Sequence, residues 1–131
     1  MAPYEQILRI FKTRVFVRFA RKAGIEDAAL RKAIADAERG LVDADLGGGV
    51  IKQRVAREGG GKSGGFRTIV LFRSGQKAFF VHGYAKNARD NIDENELREF
   101  KALAAKILAY DDAAITLAIS THTLTEVVND G

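Results

Sequence analysis

The fold is decided by residues 66–86, which read FRTIVLFR (66–73), SGQ (74–76) and KAFFVHGYAK (77–86). β-branched and aromatic residues fill both longer runs, and a short turn containing Gly75 separates them. This is the pattern of a β-hairpin, because such side chains fit a pleated, half-buried surface and glycine accommodates the tight turn. We therefore predict two antiparallel strands here and interpret the rest of the chain around them.

A further strand is predicted just before the hairpin, because side chains on a strand alternate between the two faces of a sheet. In VIKQRVA (50–56), one face would carry Val50, Lys52, Arg54 and Ala56, and the other Ile51, Gln53 and Val55. A glycine run at 47–49 precedes this strand. The glycine-rich stretch REGGGKSGG (57–65) predicts a flexible segment between this strand and the hairpin.

The N-terminal part predicts a short strand at 7–11 followed by two helices. Apolar residues at helical spacing would line one side of the first helix (Val15, Phe16, Phe19) and one face of the second (Leu30, Ala33, Ile34, Ala37). Gly24 and Gly40 would end the two helices. We expect an αα-hairpin joined through Gly24.

After the hairpin, Asp93 and Glu96 have the spacing of a capping box and predict the start of a third helix. Its apolar face would consist of Leu97, Phe100, Leu103, Ala104, Ile107 and Leu108. In the tail, AAITLAIS (113–120) is interpreted as a short helix and LTEVV (124–128) as a last edge strand, with both assignments left open.

The element order β-α-α-β-β-β-α predicts one α+β domain spanning residues 1–131. Its core would span about 5–110, with a C-terminal helical extension at 111–131. The small antiparallel sheet would bury one face against helices and leave the other face open.

Composition excludes several kinds of chemistry. The 131 residues contain no cysteine and two histidines, so disulfide frameworks, thiolate zinc sites and cysteine nucleophiles are excluded, and we expect neither a metal nor a cofactor. GGGKSGG is not a phosphate-binding P-loop, because no apolar strand runs into it and no helix follows. With no apolar run near the roughly 20 residues of a membrane span and no signal peptide, we expect a soluble cytoplasmic protein without a membrane partner.

Positive charge is concentrated in the middle of the chain. Residues 52–89 contain nine Lys and Arg but one acid, Glu58, which gives a net charge of +8, against +4 for the whole chain. Surfaces without a charged ligand usually mix the two signs. The block therefore favours a polyanionic partner such as RNA, and the alternative is a solvated face with scattered bases.

Side chains able to bind and cut RNA lie along the predicted strands. The candidate catalytic residues are Lys52, Arg54, Arg67, His82, Tyr84 and Lys86, and the candidate RNA-binding residues are Arg57, Lys62, Ser63, Arg73 and Arg89. Attack by a 2′-hydroxyl needs a base, stabilisation of a pentavalent phosphorane and an acid for the leaving 5′ oxygen. Lys, Arg, His and Tyr can supply all three without a metal. For His82 and Tyr84 the alternative is a packing role in the sheet.

Three short patterns stand in order in this region: G-V-x-K-x-R-x-A (49–56), K-S-G-G-F-R (62–67) and F-x-x-G-x-A-K (80–86). Together they resemble the RelE/ParE superfamily of bacterial toxins, and most closely its RelE- or HigB-like branch with a KSGG(F/Y)R segment. The resemblance implies a small antiparallel sheet with an N-terminal helical hairpin. It also implies an activity, the metal-independent cleavage of mRNA in the ribosomal A site, and a cognate antitoxin with which the toxin forms a hetero-oligomer.

The resemblance also implies roles for particular residues. Arg67 would contact the scissile phosphate, Lys52 and Arg54 would be the basic pair of the preceding strand, and Lys86 and Arg89 would form a basic cluster after the last core strand. The tyrosine that RelE toxins carry near the C-terminus has no secure counterpart, and three residues could replace it: His82, Tyr84 and Tyr110.

Two other functions remain open from the sequence. One is a ParE-like toxin that inhibits DNA gyrase without cutting RNA, since a fold does not dictate a function. The other is an RNA-binding module that never cuts.

Overall fold

The computed structural model describes residues 8–57, 61–86 and 91–127, without the side chains of residues 57 and 61–64. The described residues form six strands and four helices. In chain order these are β1 (Arg9–Thr13), α1 (Arg14–Ala23), α2 (Asp27–Glu38), β2 (Ala44–Gly47), β3 (Val50–Arg57), β4 (Gly61–Arg73), β5 (Lys77–Ala85), α3 (Glu94–Ile107), α4 (Asp112–Ser120) and β6 (Leu124–Glu126).

The strands form one sheet in the order β2-β3-β4-β5-β1-β6. Every neighbouring pair is antiparallel except β1 and β5, which are parallel. The predicted α+β class with a mainly antiparallel sheet is therefore confirmed. Strand β2 was not predicted, because its sequence ADLG lacks both alternation and strand-forming side chains. It reaches β3 through Gly47, Gly48 and Gly49, whose φ angles of 85°, 62° and 83° favour glycine.

The predicted hairpin is β4 and β5. Arg67 lies opposite Tyr84 and Ile69 opposite His82, and the register then shifts by one residue before Val70 pairs with Phe80. The prediction that 57–65 is a flexible connection is wrong for residue 57, which ends β3, and for residues 61–65, which begin β4; Arg57 pairs with Gly61. Pairing extends there because main-chain hydrogen bonds do not need the apolar side chains on which the prediction relied. Residues 58–60 lie outside the described part of the chain.

Helices α1 and α2 form the predicted αα-hairpin and pack on one face of the sheet, which carries Ile51, Val70 and Phe80 and which we call the first face. The predicted apolar face of α2 is buried there. Val15 was wrongly assigned to the buried side of α1, where it is 61% exposed. Phe16 and Ala20 are buried instead, because Val15 lies at the start of the helix, 100° around its axis from Phe16. A Cβ on Gly83 would lie 2.3 Å from the ring of Phe19, so glycine at this position allows α1 to approach β5.

The opposite face of the sheet, which we call the second face, was expected to be open to solvent. It is instead covered by α3 and α4. Leu71 and Phe79 of the hairpin are buried there with Ala104 and Ile115 of the two helices. The packing of α4 on this face was not predicted, because its short sequence has apolar residues around much of the helix and no clear polar face.

The short helix of the tail is confirmed as α4, and the predicted edge strand is confirmed for residues 124–126, where β6 pairs with β1. Residue 127 is not part of the strand, and residue 128 lies outside the described residues. The capping box of α3 is also confirmed. The amide of Glu96 donates to the Asp93 carboxylate at 2.8 Å, and the amide of Asp93 donates to the Glu96 carboxylate at 2.9 Å. Across the described ranges, no helix has both the length and the apolar character needed to cross a bilayer.

Candidate active site

Polar side chains collect on the second face, at the end of the hairpin away from the Ser74–Gly75 turn. Strand pairing arranges them in two rows across β3, β4 and β5: Arg54, Arg67 and Tyr84 in one row, and Lys52, Ile69 and His82 in the next. Strands lie about 4.8 Å apart, so each row spans about 10 Å. We call the five polar residues of these rows the basic end: Lys52, Arg54, Arg67, His82 and Tyr84.

Three cations of the basic end face one carboxylate, Asp43. Its oxygens lie 3.1 Å from Arg54 Nε, 3.7 Å from Arg67 Nε and 3.8 Å from Lys52 Nζ. The Asp43 side chain is 14% exposed and that of Arg67 6%, so solvent screens this cluster less than it would screen a surface ion pair. Two guanidiniums, one ammonium and one carboxylate leave the cluster with a net charge of +2.

A buried amide holds Asp43 in place. Gln53 is 3% exposed and lies on the first face of β3. Its Nε2 donates to the carbonyls of Ala33 and Leu41, each at 2.9 Å, and its Oε1 accepts from the amide of Asp43 at 3.0 Å. This one side chain therefore ties the segment between α2 and β2, which carries Asp43, to helix α2 and strand β3.

Arg67 is the most deeply buried cation of the cluster. The residue is 5% exposed, and its Nη1 has no hydrogen-bond partner among the described residues. A buried donor without an acceptor carries a desolvation penalty, which an oxyanion that reached this guanidinium would relieve. Arginine also suits this role because its planar fork of donors matches phosphate geometry.

The aromatic side chains of the basic end pack beneath the N-terminal half of α3. The ring centroids of His82 and Tyr84 are 5.9 Å apart, and that of His82 is 5.6 Å from that of Phe100. His82 is half-buried and Tyr84 is 5% exposed. An imidazole and a phenol, both able to transfer a proton, therefore lie on the same sheet face as the cations.

A groove of about 360 Å³ runs beside the cations and is lined by residues 40–43, Gln53 and Arg54. Leu41 at its rim is 57% exposed. The groove therefore combines an exposed apolar side chain, a half-exposed guanidinium and Asp43, and it reaches the cluster at Arg54 and Asp43.

The other sequence-predicted residues fall into three groups. Lys86 is exposed directly after β5, at the same end of the hairpin. Arg73 is not brought to the basic end: it lies beside the turn at the opposite end of β4, and its Nη1 donates to the carbonyl of Leu108 at 3.3 Å. The side chains of Arg57, Lys62 and Ser63, and the whole of Arg89, lie outside the described residues.

Asp43 was missed by sequence reasoning, because a single acid that precedes a strand without alternation has no recognisable motif. The available signal was indirect, namely that Lys52 and Arg54 on one strand face leave a charge to be compensated. Within the described ranges, no three His, Asp or Glu side chains lie close enough together to hold a metal ion. The arrangement can bind a phosphate, stabilise added negative charge on it and transfer protons.

One comparison with known proteins gives a match over most of the chain. Residues 8–127 match the family model described as RelE toxin of RelE / RelB toxin-antitoxin system. The matched range includes α4 and β6, and so extends beyond the core of about 5–110 that was expected from the sequence. A search of curated proteins finds no significant match.

Proposed function

Because this chain belongs to the RelE toxin family of toxin–antitoxin systems, we propose that it is a metal-independent endoribonuclease that cuts mRNA in the ribosomal A site and so arrests translation. The observation that carries the proposal is the convergence of Lys52, Arg54 and Arg67 around one point of the sheet. Three fixed cations match a reaction whose transition state gathers negative charge on phosphorus.

In the proposed reaction, the 2′-oxygen attacks the adjacent phosphorus and loses its proton, and a pentavalent phosphorane forms. The P–O5′ bond then breaks, and the 5′ oxygen takes up a proton. The products are a 2′,3′-cyclic phosphate and a free 5′-hydroxyl. Arg67 stabilises the phosphorane in this scheme, since its buried Nη1 has no acceptor among the described residues.

Lys52 and Arg54 position the phosphate and the 2′-oxygen in this scheme. Lys52 Nζ lies 3.8 Å from the Asp43 carboxylate, and we assign Lys52 the role of a cation that positions the phosphate. His82 and Tyr84 are the two candidates for proton transfer. The conservative variants H82N and Y84F separate them, because the one that loses more cleavage identifies the proton-transfer group.

The RNA backbone on either side of the cut would be held by four basic side chains and one hydroxyl. We assign this role to Lys86 and Arg89 after β5, to Arg57 at the end of β3, and to Lys62 and Ser63 at the start of β4. The family also implies a cognate antitoxin, and we propose that the two proteins form a hetero-oligomer in which the toxin is inactive.

The first test is to induce the chain in a bacterial host without an antitoxin and to map mRNA 5′ ends while growth is followed. We expect growth arrest, with new 5′-hydroxyl ends at fixed positions within translated codons. Arrest with intact mRNA and an SOS response would replace the proposal with gyrase inhibition. The absence of arrest, together with salt-dependent RNA binding, would replace it with a non-catalytic RNA-binding module.

The second test addresses the chemistry on ribosomes programmed with a defined mRNA. A single 2′-deoxy substitution at the scissile nucleotide should abolish cleavage at that position, because the attacking group is absent. Cleavage that persists at the deoxy nucleotide would contradict 2′-oxygen attack.

A further inference from the structure

We propose that Asp43 is a positioning residue that holds the three cations of the basic end in the arrangement that stabilises the transition state, and that it also limits the affinity of the site for anions. The proposal rests on the proposed function, since it concerns the cleavage step of the same site. Asp43 touches no reacting atom in this scheme, and it acts through the three cations that it holds.

The geometry separates Asp43 from an ordinary surface acid. One carboxylate lies within 4.0 Å of two guanidiniums and one ammonium that come from two neighbouring strands. Its backbone amide is fixed by the buried Gln53, so the carboxylate approaches the cations from a rigid segment. Moving or removing this carboxylate would change the positions of all three cations together.

The charges of the cluster and of the reacting phosphate separate the two effects of removing Asp43. A phosphodiester carries one negative charge in the ground state, and the phosphorane formed by attack of an oxyanion carries two. The cluster with Asp43 has a net charge of +2, which equals the charge of the phosphorane in magnitude. Without Asp43 the charge would be +3, which would attract the uncut RNA more strongly and the doubly charged phosphorane more strongly still. Charge alone would therefore not slow D43N, and a lower maximum rate in D43N would come from the lost positions of the three cations.

This reasoning predicts a split that a purely structural role would not produce. If Asp43 served the fold alone, D43N would lower the free energy of unfolding and reduce cleavage only in proportion to the folded fraction. If Asp43 sets charge and position, D43N should bind anions more tightly and cleave more slowly while folded.

The experiment measures single-turnover cleavage of mRNA on programmed ribosomes at increasing concentrations of toxin. D43N should lower the maximum rate by roughly 100-fold, the loss typical of a misplaced reacting geometry, while the half-saturating concentration stays equal or falls. The matched control is D45N, which removes the same charge two residues away. Asp45 is exposed in β2 and accepts a hydrogen bond from the amide of Gly47. D45N should behave as the wild-type protein does.

A titration with inorganic phosphate, followed by the NMR signals of arginine Nε–H groups, adds a measurement that does not need cleavage. D43N should bind phosphate several-fold more tightly than D45N does. Equal affinities in the two variants, or a maximum rate of D43N equal to that of D45N, would overturn the proposal.

D43E keeps the charge and moves it by one methylene, so it should retain the wild-type half-saturating concentration and lose maximum rate. D43E decides the question if D43N fails to fold, since an unchanged maximum rate in D43E would overturn the positioning role. If the wild-type protein does not cleave at all, the proposed function fails. The phosphate titration then decides by itself whether Asp43 limits the charge of the site.

Discussion

Arg67 and Arg73 lie six residues apart on the same strand and the same face of the sheet, yet their surroundings differ completely. Arg73 is exposed beside the hairpin turn and donates to the Leu108 carbonyl at the end of α3. Arg67 is 5% exposed, faces Asp43 and has a buried Nη1 without an acceptor among the described residues. A cation that already caps a helix has a structural partner, whereas a buried cation with an unused donor retains the capacity to bind a ligand.

The difference follows from what covers each end of β4. At the turn end, the last turn of α3 offers carbonyl oxygens, which attract a cation through hydrogen bonds and the helix dipole. At the basic end, the segment between α2 and β2 offers one carboxylate to three cations. The same residue type therefore stabilises a helix terminus at one end and remains available for chemistry at the other.

The largest expected effect comes from replacing these two arginines in parallel. R67A should lower the rate of mRNA cleavage by roughly 10²- to 10³-fold, the loss typical when a donor to a developing oxyanion is removed. R73A should keep the wild-type rate, because its guanidinium is engaged with Leu108. Cleavage on programmed ribosomes measures both.

Thermal unfolding of the two arginine variants provides the control, so that a loss of folded protein is not mistaken for a loss of chemistry. R67K adds a further comparison, since it keeps the charge but not the bidentate fork and should recover little activity. Equal cleavage rates for R67A and R73A would remove the distinction between the two ends.

The next effect concerns Gln53, whose amide supports the basic end from the opposite face. Q53A would leave the carbonyls of Ala33 and Leu41 and the amide of Asp43 without their partner. Because each buried polar group left unsatisfied costs about 1–3 kcal/mol, we expect the free energy of unfolding to fall by roughly 3 kcal/mol. Denaturant unfolding measures the loss, and the folded Q53A protein should also cleave more slowly.

Gln76 is the matched control for Gln53, because its side chain is exposed in the hairpin turn. Q76A should change neither stability nor cleavage. A Q53A protein with wild-type cleavage would show that the position of Asp43 does not depend on this amide.

The smallest effect belongs to the N-terminus of α3. D93A removes one half of the capping box and should lower the free energy of unfolding by about 1 kcal/mol, the usual value of an N-cap. Cleavage at a temperature where the protein stays folded should be unchanged. E94A, in the same helical turn but outside the capping box, should lower the free energy of unfolding by only about 0.3 kcal/mol. Equal losses in the two variants would contradict the role of the cap.

Much of the fold could be predicted because its signals are local. The hairpin, the buried face of α2 and the Asp93–Glu96 box each lie within a short stretch of sequence. There, spacing alone determines which side chains share a face. The grouping of Lys52, Arg54 and Arg67 on one face followed from the same alternation, together with the antiparallel pairing of β3 and β4.

The remaining features depend on residues far apart in the chain. Strand β2 exists because β3 offers an edge for ADLG to pair with, and β1 lies beside β5 in parallel because of pairing across about 68 residues, such as Arg9 with Lys77. The second face is covered because α3 and α4 return to it. Asp43 joins the site by the same route, through a contact with Arg67 that local spacing does not encode.

The hydrogen bond from the Asp43 amide to Gln53 has a consequence for hydrogen exchange. Amides in connecting segments usually exchange quickly with solvent, but this one donates to a side chain that is itself buried. Its exchange therefore requires the segment around residues 41–43 to detach from β3 and α2. The exchange rate of this single amide should thus report how often the basic end opens, in the free protein and without any substrate.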